Sequence, residues 1–176
     1  MDNIGQYIEN FIKKNLKCNF DIKIGKSVDE NCFNLNIDRM QFYSIIRNIK
    51  ELNLTDNIKY NNYQRYLDKN LQLDCYLNGI QKCSFKKPKD ILNVSIDKRK
   101  YDLRLIAYKL NILPSHLFPC NTCYNAIANI ESIVLDNKLY KIIFDHITYD
   151  KSDIYQITIH ITHHTNEKNI KIICGN

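Results

Sequence analysis

Near the C-terminal end, Ile157, Ile159 and Ile161 alternate strictly with Gln156, Thr158, His160 and Thr162. Strand side chains repeat with period two, so the isoleucines share one face and the polar residues the other. The stretch from Asn19 to Gly25 keeps the same rhythm, with Phe20, Ile22 and Ile24 opposed to Asn19, Asp21 and Lys23. A polar face of this kind meets solvent or lines a polar interior, and alternation alone is the same in both cases.

Helical spacing occurs only early in the chain. Ile4, Tyr7, Ile8, Phe11 and Ile12 form one apolar stripe and predict a helix over residues 2–16. Asp2 suits its start, and Lys13, Lys14 and Lys17 suit its end, by the helix dipole. The stripe packs on the body of the domain or on a partner. A short strand is expected near 33–37. Asp38, with Gln41 three residues on, marks the start of a second helix that ends near Leu52. Its apolar positions, Met40, Phe42, Tyr43, Ile45, Ile46, Ile49 and Leu52, spread widely and predict a largely buried helix. From Ile58 onward strands follow at 58–67, 71–77, 80–86, 91–96, 100–110, 126–135, 138–149, 153–164 and 168–174. Asn78-Gly79 is a strong hairpin signal, and Asp136-Asn137 turns another. The segment from Asn111 to Cys123, with Pro114 and Pro119, reads as the longest loop. Two early helices and a large antiparallel sheet closing into a barrel or tunnel make an α+β fold. It is expected as a single domain over 1–176, with an N-terminal helix (1–18) on a β-rich, tunnel-like body (19–174).

Length and composition agree with this. The 176 residues suffice for a sizeable core, and 25% charged against 44% hydrophobic residues is a globular balance. Abundant Asn, Ile, Lys and Tyr match A/T-rich codons, as in an A/T-rich virus, plasmid or parasite. The net charge of +6 permits an anionic partner such as RNA without requiring one. No apolar run approaches a membrane span, and no signal-peptide pattern opens the chain, so the expected location is cytoplasmic, with no membrane partner. Seven scattered cysteines, an odd number, read as free thiols in a reducing compartment.

Candidate chemistry is sparse. Cys120-x-x-Cys123, with His160, His163 and His164, would complete a tetrahedral zinc site, or the pair are simple loop thiols. His163 and His164 point to opposite faces if they lie on a strand, so both do not easily hold one ion. No Gly-rich phosphate loop and no nucleophile elbow occurs. Lys82, Lys86, Lys87, Lys89, Lys98, Arg99, Lys100 and Arg104 make the middle basic, with Tyr76, Phe85, Tyr101 and Tyr108 interleaved. Such a pattern tracks single-stranded nucleic acid or protects a sheet edge.

In order and rhythm the chain resembles the triphosphate-tunnel family, which includes the RNA triphosphatases of viral and fungal mRNA capping. The residues that carry the resemblance are Asn19 to Gly25 followed by a helix with Phe42 near its start, Tyr101-Asp102-Leu103-Arg104-Leu105, and Leu139 to Tyr149 followed by Tyr155 to His160. The resemblance spans roughly 19–162. It implies a tunnel whose glutamates hold Mg²⁺ or Mn²⁺ for a metal-dependent polynucleotide 5′-triphosphatase, with RNA or a subunit of a capping or transcription assembly as partner.

The departures fall on that chemistry. Where the family has metal-binding glutamates, this chain has Asn19, Asp21, Gln156, Thr158 and His160 as its polar strand faces. A hard dication wants several anionic oxygens, so the metal site is expected to be lost and the tunnel degenerate. If activity persists, Asp21, Glu131 and Asp145 are its candidate acids, and Lys23, Lys82 and Arg104 its candidate phosphate ligands. The function this implies is a viral or virus-like tunnel domain, weakly catalytic or non-catalytic, that binds RNA or a partner subunit. An unrelated α+β binding module or a structural subunit of a viral complex is the alternative.

Overall fold

A computed structural model describes residues 4–29, 32–51, 57–68, 71–96, 99–114, 126–137, 139–150 and 152–161. Its elements run α1 (Ile4–Lys14), β1 (Asn19–Ser27), β2 (Phe33–Asn34), α2 (Arg39–Glu51), β3 (Ile58–Asp68), β4 (Leu71–Tyr76), β5 (Gln81–Val94), β6 (Asp102–Leu113), β7 (Ala126–Asp136), β8 (Tyr140–Tyr149) and β9 (Ser152–Ile161). Among the described residues the strands order as β2-β1-β6-β5-β4-β3-β7-β8-β9, and β1 also pairs with β9. That last pairing closes eight strands into an antiparallel barrel, as expected, with β2 appended to β1.

The alternation of β1 and of β9 from Gln156 onward resolves into an apolar face turned outward and a polar face turned inward. Phe20, Ile22, Leu105, Ala107, Val94 and Ile161 face outward and pack against Phe11 and Ile12 of α1. Phe42 and Ile46 of α2 cover Leu135, Ile142, Phe144, Tyr155 and Ile157 on the other side. Fully burying one such side chain contributes about 1.5–3 kcal/mol, so the two helices supply the cover that an apolar outer wall needs.

The helices are placed by specific contacts. Asp38 caps α2, its carboxylate accepting from the Gln41 backbone N–H at 3.1 Å. Ile37 donates its N–H to the Tyr155 carbonyl at 2.8 Å, which ties the approach to α2 onto β9. At the end of α1, Asn15 and Lys14 both reach Asp90 of β5, at 3.1 and 2.8 Å.

Three expectations need correction. The helix over 39–51 is not largely buried: Met40 is 79% exposed and Tyr43 is exposed, because a helix laid on a barrel's outer wall buries only its facing stripe. The strands expected at 80–86 and 91–96 are one strand, Gln81–Val94. Its ladder slips at a bulge between Pro88 and Asp90, where proline has no N–H to donate. Asn111 to Leu113, expected in a loop, extend β6. The remainder of that loop after Pro114, the strand expected at 168–174, and Cys120, Cys123, His163 and His164 with the zinc site they suggested lie outside the described residues. The Asn78-Gly79 hairpin forms as expected, with Gly79 at φ +80°.

Gly25 is a packing glycine. A Cβ there would stand 2.3 Å from the Asn34 carbonyl oxygen and 2.4 Å from the Phe33 ring. Gly25→Ala is expected to push β2 off β1 and to cost about 1–3 kcal/mol, the usual range for overpacking. Urea denaturation of the variant should show this as a lower midpoint.

Candidate functional site

Directly paired strand residues project to the same face, so the registers identify which side chains meet inside the barrel. Asp21 is opposite His160 and Lys23 opposite Thr158. Asp145 is opposite Gln156 on one side and Ser132 on the other. Arg65 is opposite Asp74, and Asp74 opposite Lys82. Apart from Ser132, these residues line a cavity of about 340 Å³ in the barrel, with Tyr63, Gln72, Ser84, Lys86 and Tyr108 also on its wall. Its charged lining is four cations, Lys23, Arg65, Lys82 and Lys86, against three carboxylates, Asp21, Asp74 and Asp145, beside His160.

Asp21 is 5% exposed and saturated with donors. Its Oδ1 accepts from the Tyr108 hydroxyl at 3.0 Å and from His160 Nδ1 at 2.9 Å, and its Oδ2 meets Lys86 Nζ at 3.3 Å. A carboxylate acceptor places the His160 proton on Nδ1. Burial alone would raise the Asp21 pKa. The His160 hydrogen bond and the Lys86 charge outweigh burial and hold it at about 2, below the ordinary 3.8. Lys86 also lies 4.8 Å from the Tyr108 ring centroid, a cation–π contact. Burial, with the nearby Asp21 charge, raises the Tyr108 pKa, so its hydroxyl remains a donor.

Asp74 is engaged in a second cluster. Arg65 grips it with Nε at 2.8 Å and Nη2 at 3.0 Å, and Gln72 Nε2 adds a bond at 2.9 Å. This is a bidentate fork, the strongest geometry available to a carboxylate. Burial would lower the Arg65 pKa, but the Asp74 hydrogen bonds prevail and raise it. Arg65 Nη2 also meets the Tyr63 hydroxyl at 3.0 Å.

Among the described residues, Lys23 and Asp145 are less fully matched than Asp21 and Asp74. Lys23 makes no hydrogen bond or ion pair with its ammonium among the described residues, and burial lowers its pKa although Asp21 pulls the other way. Asp145 accepts one bond from Ser132, while its Oδ1 is buried without a partner. Burial raises its pKa, and Ser132, Arg65 and Lys23 only partly offset that.

The candidates from the sequence divide between lumen and outer surface. Asp21, Asp145, Lys23, Lys82, Gln156, Thr158 and His160 come together in the cavity. Asn19 shares the inward face of β1, opposite Tyr108. Glu131 does not join them, which corrects its place among the acids. It is one residue out of phase with Ser132, so it lies on the outer wall, exposed, with His146 Nδ1 at 3.3 Å. Arg104 shares the inward face of β6, opposite Lys23, but does not line the cavity. It donates to Asn93 Oδ1 at 2.9 Å and stacks 5.1 Å from the Phe33 ring centroid. Of the basic middle, Lys82 and Lys86 line the cavity, while Lys87, Lys89, Arg99 and Lys100 are exposed. Arg65 and Asp74 escaped the sequence reading. The alternations Tyr63-x-Arg65 and Gln72-x-Asp74 are a signal, but the pairing that joins them is not written in either strand.

Among the described residues the donor set does not fit a divalent metal. Among the described residues no three His, Cys, Asp or Glu side chains converge as an ion site. Asp21 is taken by three donors and Asp74 by a guanidinium, which leaves Asp145 as one carboxylate for an ion that wants several.

No family model matches the chain, and no curated protein matches its sequence. Among similar solved structures, an S. pombe RNA triphosphatase in complex with the Spt5 CTD is 10% identical, with a TM-score of 0.75 over 98% of this chain and 83% of that one. The RNA triphosphatase domain of a trifunctional mimivirus mRNA capping enzyme is also 10% identical, with a TM-score of 0.65 over 99% and 93% of the two chains. A second Mimivirus capping enzyme triphosphatase structure is 12% identical, with a TM-score of 0.61 over 100% and 99%. At these identities the likeness establishes the fold, a triphosphate-tunnel barrel.

The two carboxylates predict opposite pH behaviour. Asp21 has a folded pKa below its unfolded one, so its contribution is present above about pH 4 and is lost as pH falls through about 2. Asp21→Asn is expected to cost on the order of 2 kcal/mol at neutral pH, with the gap closing in acid, in urea melts across pH. Asp145 has a raised folded pKa, so the native protein loses stability as pH rises through it. Asp145→Asn should abolish that loss and raise the neutral-pH midpoint.

Proposed function

We propose that this chain is a tunnel domain that seats the phosphate-rich 5′ end of an RNA in its lumen and hydrolyses it weakly or not at all. The observation that carries this reading is the uncommitted Lys23 ammonium, on a cavity wall shared with Lys82 and Lys86. A half-buried cation with no hydrogen bond or ion pair among the described residues is costly, and an anionic ligand would relieve that cost. A phosphate chain presents many anionic oxygens to several lysines at once, as the spread of Lys23, Lys82 and Lys86 around one cavity requires.

Weak catalysis follows from the acids. Hydrolysis by metal-activated water needs carboxylates free to hold the ion, and here two of three are bound to the protein's own cations. The role left to the domain is RNA binding or subunit binding in a capping or transcription assembly. The S. pombe neighbour's complex with the Spt5 CTD supports a protein partner. Exposed Met40, Tyr43 and Tyr60 supply apolar surface outside the barrel for one. The same capping context supports the viral or virus-like origin that the composition suggests.

The deciding assay is release of γ-phosphate from triphosphate-ended RNA with Mg²⁺ or Mn²⁺, beside binding of triphosphate-ended and hydroxyl-ended RNA. The expected result is no release above background, and preference for the triphosphate end that weakens with salt. Lys23→Met should lower that preference roughly tenfold, the scale of one charge-assisted contact. Release that Asp21→Ala abolishes would overturn the non-catalytic reading.

A further inference from the structure

We infer that the lumen carries its counter-charge in side chains, with Lys86 and Arg65 standing where a divalent cation would, so that anion binding there needs no metal. The inference rests on the phosphate-end reading and deepens it. A metal in a tunnel of acids does two things: it cancels the carboxylates, and it presents positive charge to the ligand. Here each task has a resident group.

The Lys86 ammonium cancels Asp21 at 3.3 Å and is held a second time by the Tyr108 ring. An ammonium has three N–H donors, and Asp21 takes one, so donors remain for a phosphate oxygen. Arg65 cancels Asp74 through Nε and Nη2, and its Nη1 makes no hydrogen bond among the described residues. Both cations line the same cavity as Lys23. A dication entering this site would have to displace Lys86 from Asp21, or Arg65 from a bidentate fork. It would gain too few anionic oxygens to make up for it. Fixed cations also need no recruitment from solution. Affinity should therefore follow ionic strength and not the concentration of free Mg²⁺.

The experiment is calorimetric titration of the full chain with inorganic tripolyphosphate at constant ionic strength, once in EDTA and once in Mg²⁺. Saturable binding in EDTA that Mg²⁺ does not tighten is expected. Lys86→Met should lower the EDTA affinity roughly tenfold or more, and Lys86→Arg should keep most of it. Binding that appears only with Mg²⁺ overturns this inference and leaves the phosphate-end reading standing. No binding in either buffer overturns both. Unchanged affinity in Lys86→Met would remove Lys86 from the role. If that variant fails to fold, the EDTA comparison on the native chain and Lys86→Arg still decides.

Discussion

The pairing of β1 with β9 is the constraint on which the rest depends. An open sheet with alternating faces has one side for a core and one for water. Once β1 and β9 join, the polar side faces an enclosed lumen instead of open solvent, and Asp21, Asp74 and Asp145 are buried there. Every second side chain of eight strands then projects into a common space, and every charge there must find a partner or a ligand. The apolar faces, turned outward, need covering in their turn, and α1 and α2 do this. The order of the layers, helix outside and charge inside, follows from closure.

Inside, the charges are matched in pairs of different strength. Asp74 and Arg65 form a geometrically complete pair, a structural strut between β3 and β4. Asp21 bridges three elements, since Lys86 comes from β5, Tyr108 from β6 and His160 from β9. It therefore fastens the closure strand from within. Nearby, Tyr63, Ala128, Ile130 and Ile147 make an inward apolar cluster, with the Tyr76 ring tilted against Tyr63 at 4.9 Å between centroids. Tyr63 belongs to both this cluster and the cavity wall, so the polar lumen has an apolar border. Such a border lowers the local dielectric and strengthens each ion pair beside it.

Much of this was legible in the sequence, for identifiable reasons. From Asn19 to Ile24 and from Gln156 to Ile161 the alternation is unbroken, so the two faces there could be read directly. Whether those faces turned inward could not be read, because closure is a pairing between residues more than a hundred positions apart. β7 shows the opposite case. Ala128, Ile130 and Ser132 point in while Ile127, Asn129 and Glu131 point out, so both faces mix polar and apolar residues. With no clean period, the phase of Glu131 was unreadable, and it was placed among the acids of the lumen. The breadth of apolar positions on α2 likewise suggested burial, where the barrel's curvature leaves Met40 and Tyr43 outside the contact stripe.

Lys23 and Asp145 are where local rules and the fold disagree. Natural sequences break such rules mostly at functional sites, since each breach costs stability that the rest of the fold must offset. Among the described residues, a half-buried ammonium without a hydrogen bond or ion pair and a buried carboxylate with an unpartnered oxygen line one cavity. Had the lumen been only a packed interior, an apolar pair at these two positions would have been the more stable choice. The wall instead keeps both groups, beside two carboxylates that are fully satisfied. The mismatch is local, and both groups line the cavity. That is the physical argument for reading the barrel as a binding tunnel and not only as a scaffold.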